Sequence, residues 1–488
     1  LRADLFAAVT VTLVSVPQAL GFALVLELPP VMVLTGAVVG AFAAALFFSS
    51  RLLIFGATNS ITLLVASAIH QPGSSNLGPA ELAVILAVLI GAIQIAAGLF
   101  RMGTVTQFIS RSVIIGYSAA TGVLLALTQL HNVFGLARDR SAPLWAQLQD
   151  GVAKISTLEF DFAEPLAGLA ALAFFLVIHR LRPRWPGVLI GLSLATVAFW
   201  QFPALEESPV RTLQDLGTLK AALPSFVGMP FARGDLPLLG TLVGTAVAIA
   251  LLGMLETVSL AKSLSLRHGE RINSNGEILG LGVGNLANGL FGTIPGSASF
   301  VRSAVNAQSG AKTQVSGLIA ALLLLAAVLV FSPWLNHIPV PVLAASLVVI
   351  GIRMIDLEQI RVAARSTGSD ALVLVGTFVA ALVLPLDIAI YTGIGLSVAL
   401  ALRKASTPTL VEYTFNGSEH LTHLQCPQDR VHSRVAIIHV EGELFFGAAD
   451  LFQDQVRQRV ESEDLKVVIL RLKNARHLDA TTVFALRG

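Results

Sequence analysis

The chain has 488 residues, of which 55% are hydrophobic and 13% are charged, whereas globular proteins carry roughly 25% charged residues. The mean hydropathy is +0.77, and this excludes an ordinary soluble fold. The net charge of +2 gives no indication of a nucleic-acid partner, and the single cysteine, Cys426, excludes a disulfide framework.

Apolar segments recur from Leu5 to Leu402. About 20 apolar residues suffice to cross the hydrocarbon core as a helix, so we predict a polytopic, all-α protein in a lipid bilayer. Fourteen segments are predicted, and two of them, 57–70 and 299–310, are too short to span and begin with polar residues. The segments are 5–26, 31–48, 57–70, 80–100, 106–134, 165–181, 186–202, 237–262, 276–291, 299–310, 314–332, 341–354, 370–384 and 388–403.

The distribution of Lys and Arg between the loops predicts an orientation. With the N-terminus in the cytoplasm, sixteen of these residues, among them Arg111, Lys262 and Arg267, fall on the inner side and six on the outer side. We therefore predict a multi-pass protein of the cell (inner) membrane whose N-terminus is cytoplasmic. An even number of crossings also returns the C-terminal tail to the cytoplasm.

Two stretches resemble one another in the two halves of the chain. Residues 52–60 (LLIFGATNS) precede the third segment, and residues 291–299 (FGTIPGSAS) precede the tenth. Each reads as a short extended stretch, then small and polar residues, then a short helix. The third and tenth segments are seven positions apart in the chain. Because seven is odd, the two copies point in opposite directions across the membrane, as in an inverted repeat with broken helices.

Two broken helices predict an anion site. A helix that begins inside the membrane presents free N–H groups and the positive end of its dipole at that depth. Non-helical backbone there must be buried in protein or line a wet cavity. Thr58, Asn59, Ser297 and Ser299 lie at the two helix starts, where capping and substrate binding are compatible roles.

Arg302 lies one turn into the tenth segment, where an arginine costs about 2.5–3.5 kcal/mol to insert. A bound anion would offset this cost. The alternatives are that Arg302 caps backbone carbonyls or pairs permanently with Glu256. Glu256 is the carboxylate inside the eighth segment, and it either carries a coupling proton or pairs with Arg302 or Lys262.

Gln18 follows Pro17 in the first segment and interrupts an apolar run. It either faces the cavity or satisfies carbonyls that Pro17 leaves without a donor. Asn285 and Asn288, in the glycine-rich ninth segment, indicate interhelical hydrogen bonds or packing.

The sequence does not predict an enzyme, because it carries no zinc-hydrolase pattern, no Walker A motif and no GxSxG elbow. We assign no catalytic residue. His70, His131 and His337 are scattered near segment ends and do not predict a metal site, and no cofactor is expected.

The composition changes after Lys404. Residues 406–434 are polar and read as a loop. Strands are predicted at 435–440 and 466–472, and helices at 446–460 and 480–486, which indicates a small α/β domain. We expect a transport domain at 1–404, a linker at 405–434 and a partial cytoplasmic domain at 435–488, cut off within a helix.

Several motifs resemble those of a known family. The first segment carries VPQALGFA at 16–23, and the ninth and tenth carry Asn275-Gly276-Glu277, Pro295-Gly296 and Arg302-Ser303-Ala304-x-Asn306. These blocks resemble the sulfate permease (SulP) anion transporters, whose animal relatives form solute carrier family twenty-six. Residues 440–447 and 478–482 resemble a STAS domain, the sulfate-transporter and anti-sigma-antagonist module.

The resemblance implies a seven-plus-seven inverted repeat with a core and a gate domain, as in uracil permeases. It also implies a homodimer and an anion held between the third and tenth segments. Many relatives have Ser-x-Ser-Arg where this chain has Ser299-Phe300-Val301-Arg302, so bicarbonate, chloride or a dicarboxylate such as fumarate competes with sulfate as substrate. The expected substrate-binding residues are Gln18, Thr58, Asn59, Ser299, Phe300, Val301 and Arg302, with Glu256 for the coupling ion.

The resulting hypothesis is secondary active transport of a small anion, as proton-coupled symport by alternating access; sodium is the other candidate coupling ion. Two alternatives stay open at this point. One is an uncoupled anion channel, and the other is an anion sensor that signals through the STAS domain.

Overall fold

The structure is a computed structural model of the chain. It describes the residues 1–70, 77–104, 109–136, 144–156, 162–181, 187–201, 210–228, 236–406, 409–416, 420–424, 435–443, 446–462, 465–473, 475–476 and 480–486. The chain divides into two compact units, Leu1–Ile394 and Gly395–Gly488.

The first unit is helical, and each of the fourteen predicted segments coincides with a helix in the described ranges, which confirms the all-α polytopic fold. Seven helices in the described part of the chain are long and apolar enough to cross a membrane, and shorter apolar helices accompany them. The helices are α1 (Arg2–Leu26), α2 (Pro30–Ala45), α3 (Asn59–Ile69), α4 (Pro79–Leu99), α5 (Arg111–Val133), α6 (Leu144–Ser156), α7 (Ala163–Leu181), α8 (Gly187–Gln201), α9 (Leu236–His268), α10 (Ser274–Leu290), α11 (Phe300–Gln308), α12 (Val315–Leu335), α13 (Val340–Met354), α14 (Leu357–Ser366), α15 (Gly368–Val383) and α16 (Leu386–Ala405).

Two helices, α6 and α14, were not among the predicted segments. Both are short and amphipathic, so a search for long apolar runs passes over them. In α14, the Asp356 side chain caps the start by accepting hydrogen bonds from the backbone N–H groups of Glu358 and Gln359, each at 3.0 Å. The local sequence signal for this helix is therefore its capping residue, and not a run of buried apolar residues.

Glycines let α10 pack closely against its neighbours. A Cβ atom added at Gly282 would lie 2.6 Å from the backbone nitrogen of Ile95 on α4, and one at Gly280 would lie 2.7 Å from the Phe48 ring. Such approaches are shorter than any real Cβ contact. The glycines therefore allow the backbones to approach where a membrane interior provides little hydrophobic driving force.

The second unit contains a mixed sheet in which β4 (His420–His423), β3 (Thr409–Asn416), β5 (Val435–Glu443) and β6 (Val467–Arg471) are neighbours in that order. β3 pairs antiparallel with β4 and β5, whereas β5 pairs parallel with β6 and with the short β7 (Ala475–Arg476). The helices α17 (Phe446–Ser462) and α18 (Ala480–Ala485) complete the described part of the unit. One apolar cluster joins β5 to α17 through Val440, Ala448 and Phe452.

The strands at β3 and β4 correct the expectation of a loop over 406–434. β3 pairs with β4 as a hairpin and with β5 on its other edge, and both strands contain many polar residues and no long apolar run. Cys426 and parts of the two STAS-like motifs, 444–445 and 478–479, lie outside the described residues.

Candidate functional site

The two broken segments meet inside the first unit. Phe55–Gly56 forms β1 and Ser297–Ala298 forms β2; they pair antiparallel, with Gly56 opposite Ser297. α3 starts just after β1, and α11 just after β2. Because this ladder is only two residues long, the two helix starts lie near one another and line the same cavity. Because it is antiparallel, the chain leaves the two strands in opposite directions.

Each helix start has an extended capping residue. Thr58 Oγ1 accepts a hydrogen bond from the Ile61 N–H at 3.5 Å, and Ser299 Oγ accepts one from the Arg302 N–H at 3.4 Å. Each side chain satisfies one N–H group of its helix. The other first-turn N–H groups have no partner within the helix, and these give the ends their positive potential.

Buried amides and hydroxyls hold the irregular backbone at this depth. Asn285 accepts a hydrogen bond from the Gly296 N–H at 2.7 Å and donates to the Gly296 carbonyl at 3.0 Å. Ser303 Oγ accepts from the Ile54 N–H at 2.9 Å, and Asn306 Nδ2 donates to the Leu52 carbonyl at 3.1 Å. The predicted structural role of Asn285 is confirmed, whereas Ser303 and Asn306 had been noted for their motif alone.

Two adjoining cavities, of about 280 and 310 Å³, open beside the helix starts. The smaller one is lined by seven of the eight predicted site residues, and the larger one shares three of those seven with it. The seven are Gln18, Thr58, Asn59, Glu256, Ser299, Phe300 and Val301, and the shared three are Gln18, Asn59 and Val301. Arg353, at the end of α13, also lines both cavities, although it was not among the site residues expected from the sequence.

Arg302 lies behind the cavity wall, with 1% of its surface exposed. Its Nε donates to Gln18 Oε1 at 3.2 Å, so Gln18 connects the guanidinium to both cavities. Its Nη2 has no hydrogen-bond partner. Within the described ranges Arg302 forms no ion pair, neither with Glu256 nor with another carboxylate, and the guanidinium packs against Gly56.

Glu256 is buried and reaches the smaller cavity from α9. Its Oε2 accepts a hydrogen bond from Thr58 Oγ1 at 3.3 Å, and the side chains of Ser60 and Ser297 lie beside the carboxylate. The ion pairs considered with Arg302 and Lys262 are not present among the residues that the structure describes. A carboxylate therefore touches the starts of both broken segments without a cation to neutralise it.

Three further side chains determine what the cavity can recognise. Asn59 Oδ1 is buried and has no hydrogen-bond partner. Phe300 and Val301, at the start of α11, are 44% and 46% exposed. One wall is therefore apolar at the position where a hydroxyl was expected from the resemblance, and the polar side chains that line the smaller cavity include Gln18, Asn59, Ser299 and Arg353. No group of three metal-ligating side chains occurs in the described part of the chain.

Comparison with known proteins gives the family. The model of the sulfate permease family matches residues 1–377, and that of the STAS domain matches residues 427–488. The chain is 28% identical to the chloroplastic sulfate transporter 4.1 of Arabidopsis thaliana over 100% of this chain and 72% of that protein. It is 26% identical to the bicarbonate transporter BicA of Picosynechococcus sp. over 100% of this chain and 86% of that protein.

The fold agrees with a solved structure. The murine Slc26a9 anion transporter in the inward-facing state superposes with a TM-score of 0.86 at 20% identity, covering 100% of this chain and 82% of the mouse chain. The seven-plus-seven fold and the C-terminal STAS domain are thereby confirmed. The chain is a multi-pass membrane transporter, not an enzyme, and it belongs to the sulfate permease family of anion transporters.

Proposed function

We propose that this transporter carries small anions by alternating access, as a proton-coupled symporter of the cell (inner) membrane. The observation that carries the proposal is the buried guanidinium of Arg302, which has an unsatisfied Nη2 and no counter-ion among the described residues. It lies next to two helix starts that also favour negative charge. An anion in the adjacent cavity would offset the cost of burying this charge.

The apolar wall supports a substrate with few hydrogen-bond acceptors on one side. Phe300 and Val301 line the cavity where a hydroxyl would suit a fully oxygenated anion. The relatives compared are named for sulfate and for bicarbonate, so both are candidates. We propose bicarbonate or a dicarboxylate such as fumarate ahead of sulfate. Uptake of each labelled anion into proteoliposomes tests this proposal; accumulation of none of them would contradict the whole function.

Contacts near the start of α9 support access to the two cavities from one side of the membrane. Near the start of α9, Thr245 Oγ1 donates to Asp387 Oδ2 at 2.9 Å, and Tyr391 Oη donates to the Gly244 carbonyl at 2.6 Å. These bonds join α9 to α16. The distribution of basic residues supports a cytoplasmic position for the opposite end of α9, so the cavities would open inward.

Glu256 is proposed as the proton carrier, and its replacement gives a first prediction. In the native chain an acidic exterior protonates the carboxylate, removes a negative charge beside the anion and increases uptake. Glu256→Gln is always neutral, so we expect uptake to lose its stimulation by an inward proton gradient. Apparent anion affinity at neutral pH should rise about tenfold or more, since a unit charge pair at ~4 Å is worth roughly 1 to 4 kcal/mol and about 1.4 kcal/mol is a factor of ten.

The measurement is initial uptake into proteoliposomes with and without an imposed pH gradient. Glu358→Gln, at an exposed carboxylate on α14, is the matched control and should keep the native pH profile. An unchanged profile in Glu256→Gln would exclude this residue as the proton carrier. Sodium dependence in its place would identify the other coupling ion, and dependence on neither ion would favour a channel.

The STAS match favours a sensor as the second candidate. We take 1–404 as the transport domain and 405–434 as the linker to the cytoplasmic domain at 435–488, and we expect a homodimer.

Deleting the residues after Arg403 should leave anion flux within about twofold of the full chain, because the whole candidate site lies before that residue. A deletion variant that is folded but does not transport would show that the domain is required for flux.

A further inference from the structure

A third cavity, of about 410 Å³, lies between the start of α5 and the last turns of α9. Three cations line it: Arg111 at the first position of α5, and Lys262 and Arg267 near the end of α9. Its lining contains no carboxylate. It is larger than either cavity at the candidate site, and its volume is within the roughly 300–1,000 Å³ of small-molecule sites.

The three cations have no partners in the parts of the chain that the structure describes. None of them forms an ion pair or a side-chain hydrogen bond there. Asp370 of α15, an acidic side chain beside the start of α5, accepts hydrogen bonds from the hydroxyls of Ser110 and Ser112, at 3.0 and 3.2 Å. Three unneutralised positive charges around one cavity produce a field that favours an anionic ligand.

Five of the other seven lining residues are apolar, and the remaining two are Ser259 and Ser263. Leu255 and Val258 are each only 3% exposed and form the floor, and Ile109 and Ile114 on the α5 side continue it. A small inorganic anion could contact the cations and the two serine hydroxyls, but it would leave the apolar floor uncovered. An amphipathic ligand would place its charged group on the basic rim and a hydrocarbon chain on the floor.

The position of the cavity agrees with such a ligand. It lies at the ends of two helices that are long and apolar enough to cross a membrane, α5 and α9. The ends of such helices are where headgroups meet the hydrocarbon core, and clusters of basic residues there bind anionic lipids. We propose that this cavity binds an anionic phospholipid, with the phosphate on Arg111, Lys262 and Arg267 and an acyl chain against Leu255 and Val258. This lipid site is separate from the transported anion, although Ile114 also lines the smaller cavity of the candidate site.

The test uses the purified full chain in neutral detergent, and it does not depend on transport. Thermal unfolding is followed while phosphatidylglycerol or phosphatidylcholine is added, and native mass spectrometry counts retained lipids. The test variant combines Arg111→Gln, Lys262→Gln and Arg267→Gln. The matched control combines Lys312→Gln, Arg361→Gln and Arg365→Gln, three exposed cations outside the cavities described above.

The native chain and the control should be stabilised by phosphatidylglycerol and not by phosphatidylcholine. The test variant should need at least about tenfold more phosphatidylglycerol for half of the stabilisation, since each basic residue at a membrane surface contributes on the order of 1 kcal/mol.

If that variant is unstable, Arg111→Gln with Arg267→Gln, both exposed in the native chain, replaces it. Equal responses in all proteins would overturn the proposal. Equal stabilisation by inorganic phosphate would also overturn it, since the site would then bind a free anion.

Discussion

Replacing Arg302 by alanine should abolish anion uptake or weaken it by about 30-fold or more. Truncating one member of a desolvated charged contact costs about 2–5 kcal/mol, and Arg302 is the buried cation at the candidate site. Arg302→Lys keeps the charge but loses the planar guanidinium that bonds to Gln18, so we expect partial activity at most. Arg361→Ala, which removes an exposed cation on α14, is the control and should transport normally.

Thermal unfolding separates a functional from a structural role of Arg302. Because the guanidinium is buried without an ion pair among the described residues, its removal relieves a desolvation cost. The melting temperature of Arg302→Ala should therefore stay the same or rise. The transported anion should stabilise the native chain and fail to stabilise the variant, since a ligand stabilises only the state that binds it. Normal uptake, or a large fall in melting temperature, would contradict the proposed role.

The membrane fold could be predicted from the sequence because a lipid bilayer permits few backbone structures. A spanning segment must satisfy its own backbone, so each apolar run indicates a helix, and each predicted segment coincides with one. The short amphipathic α6 and α14 do not follow this rule and were missed. The strands β3 and β4 were missed because they contain many polar residues and no long apolar run, although the two pair with each other as a hairpin.

The sequence predicts which residues line the candidate site, but it predicts only part of how those residues are arranged. Helix-start residues such as Thr58 and Ser299 carry a local signal, the polar interruption of a broken segment. No local signal places the Arg302 guanidinium behind Gln18, or brings Arg353 from α13 into both cavities, because these contacts join residues far apart in the chain. The absence of an Arg302–Glu256 pair in the described residues likewise depends on the packing of α9 against α11.

The contact between Gly56 and Arg302 gives the second large prediction. A Cβ atom added at Gly56 would lie 2.1 Å from Arg302 Nη1, closer than any real contact. The guanidinium is the end of a flexible side chain, so it can move while the β1–β2 backbone stays in place. Gly56→Ala should therefore leave the protein folded and raise the KM for the anion about tenfold or more, because the charge is displaced from the site.

A double variant shows whether this effect passes through the guanidinium. If it does, Gly56→Ala combined with Arg302→Ala should transport no worse than Arg302→Ala alone, because coupled sites are not additive. Gly317→Ala is the matched control: its new Cβ would meet neighbours at 3.4 Å, an ordinary contact, and uptake should be native. If Gly56→Ala lowered the melting temperature and the double variant lost still more, the glycine would serve the backbone and not the position of the charge. Unchanged KM in Gly56→Ala would show that the anion does not depend on where the guanidinium lies.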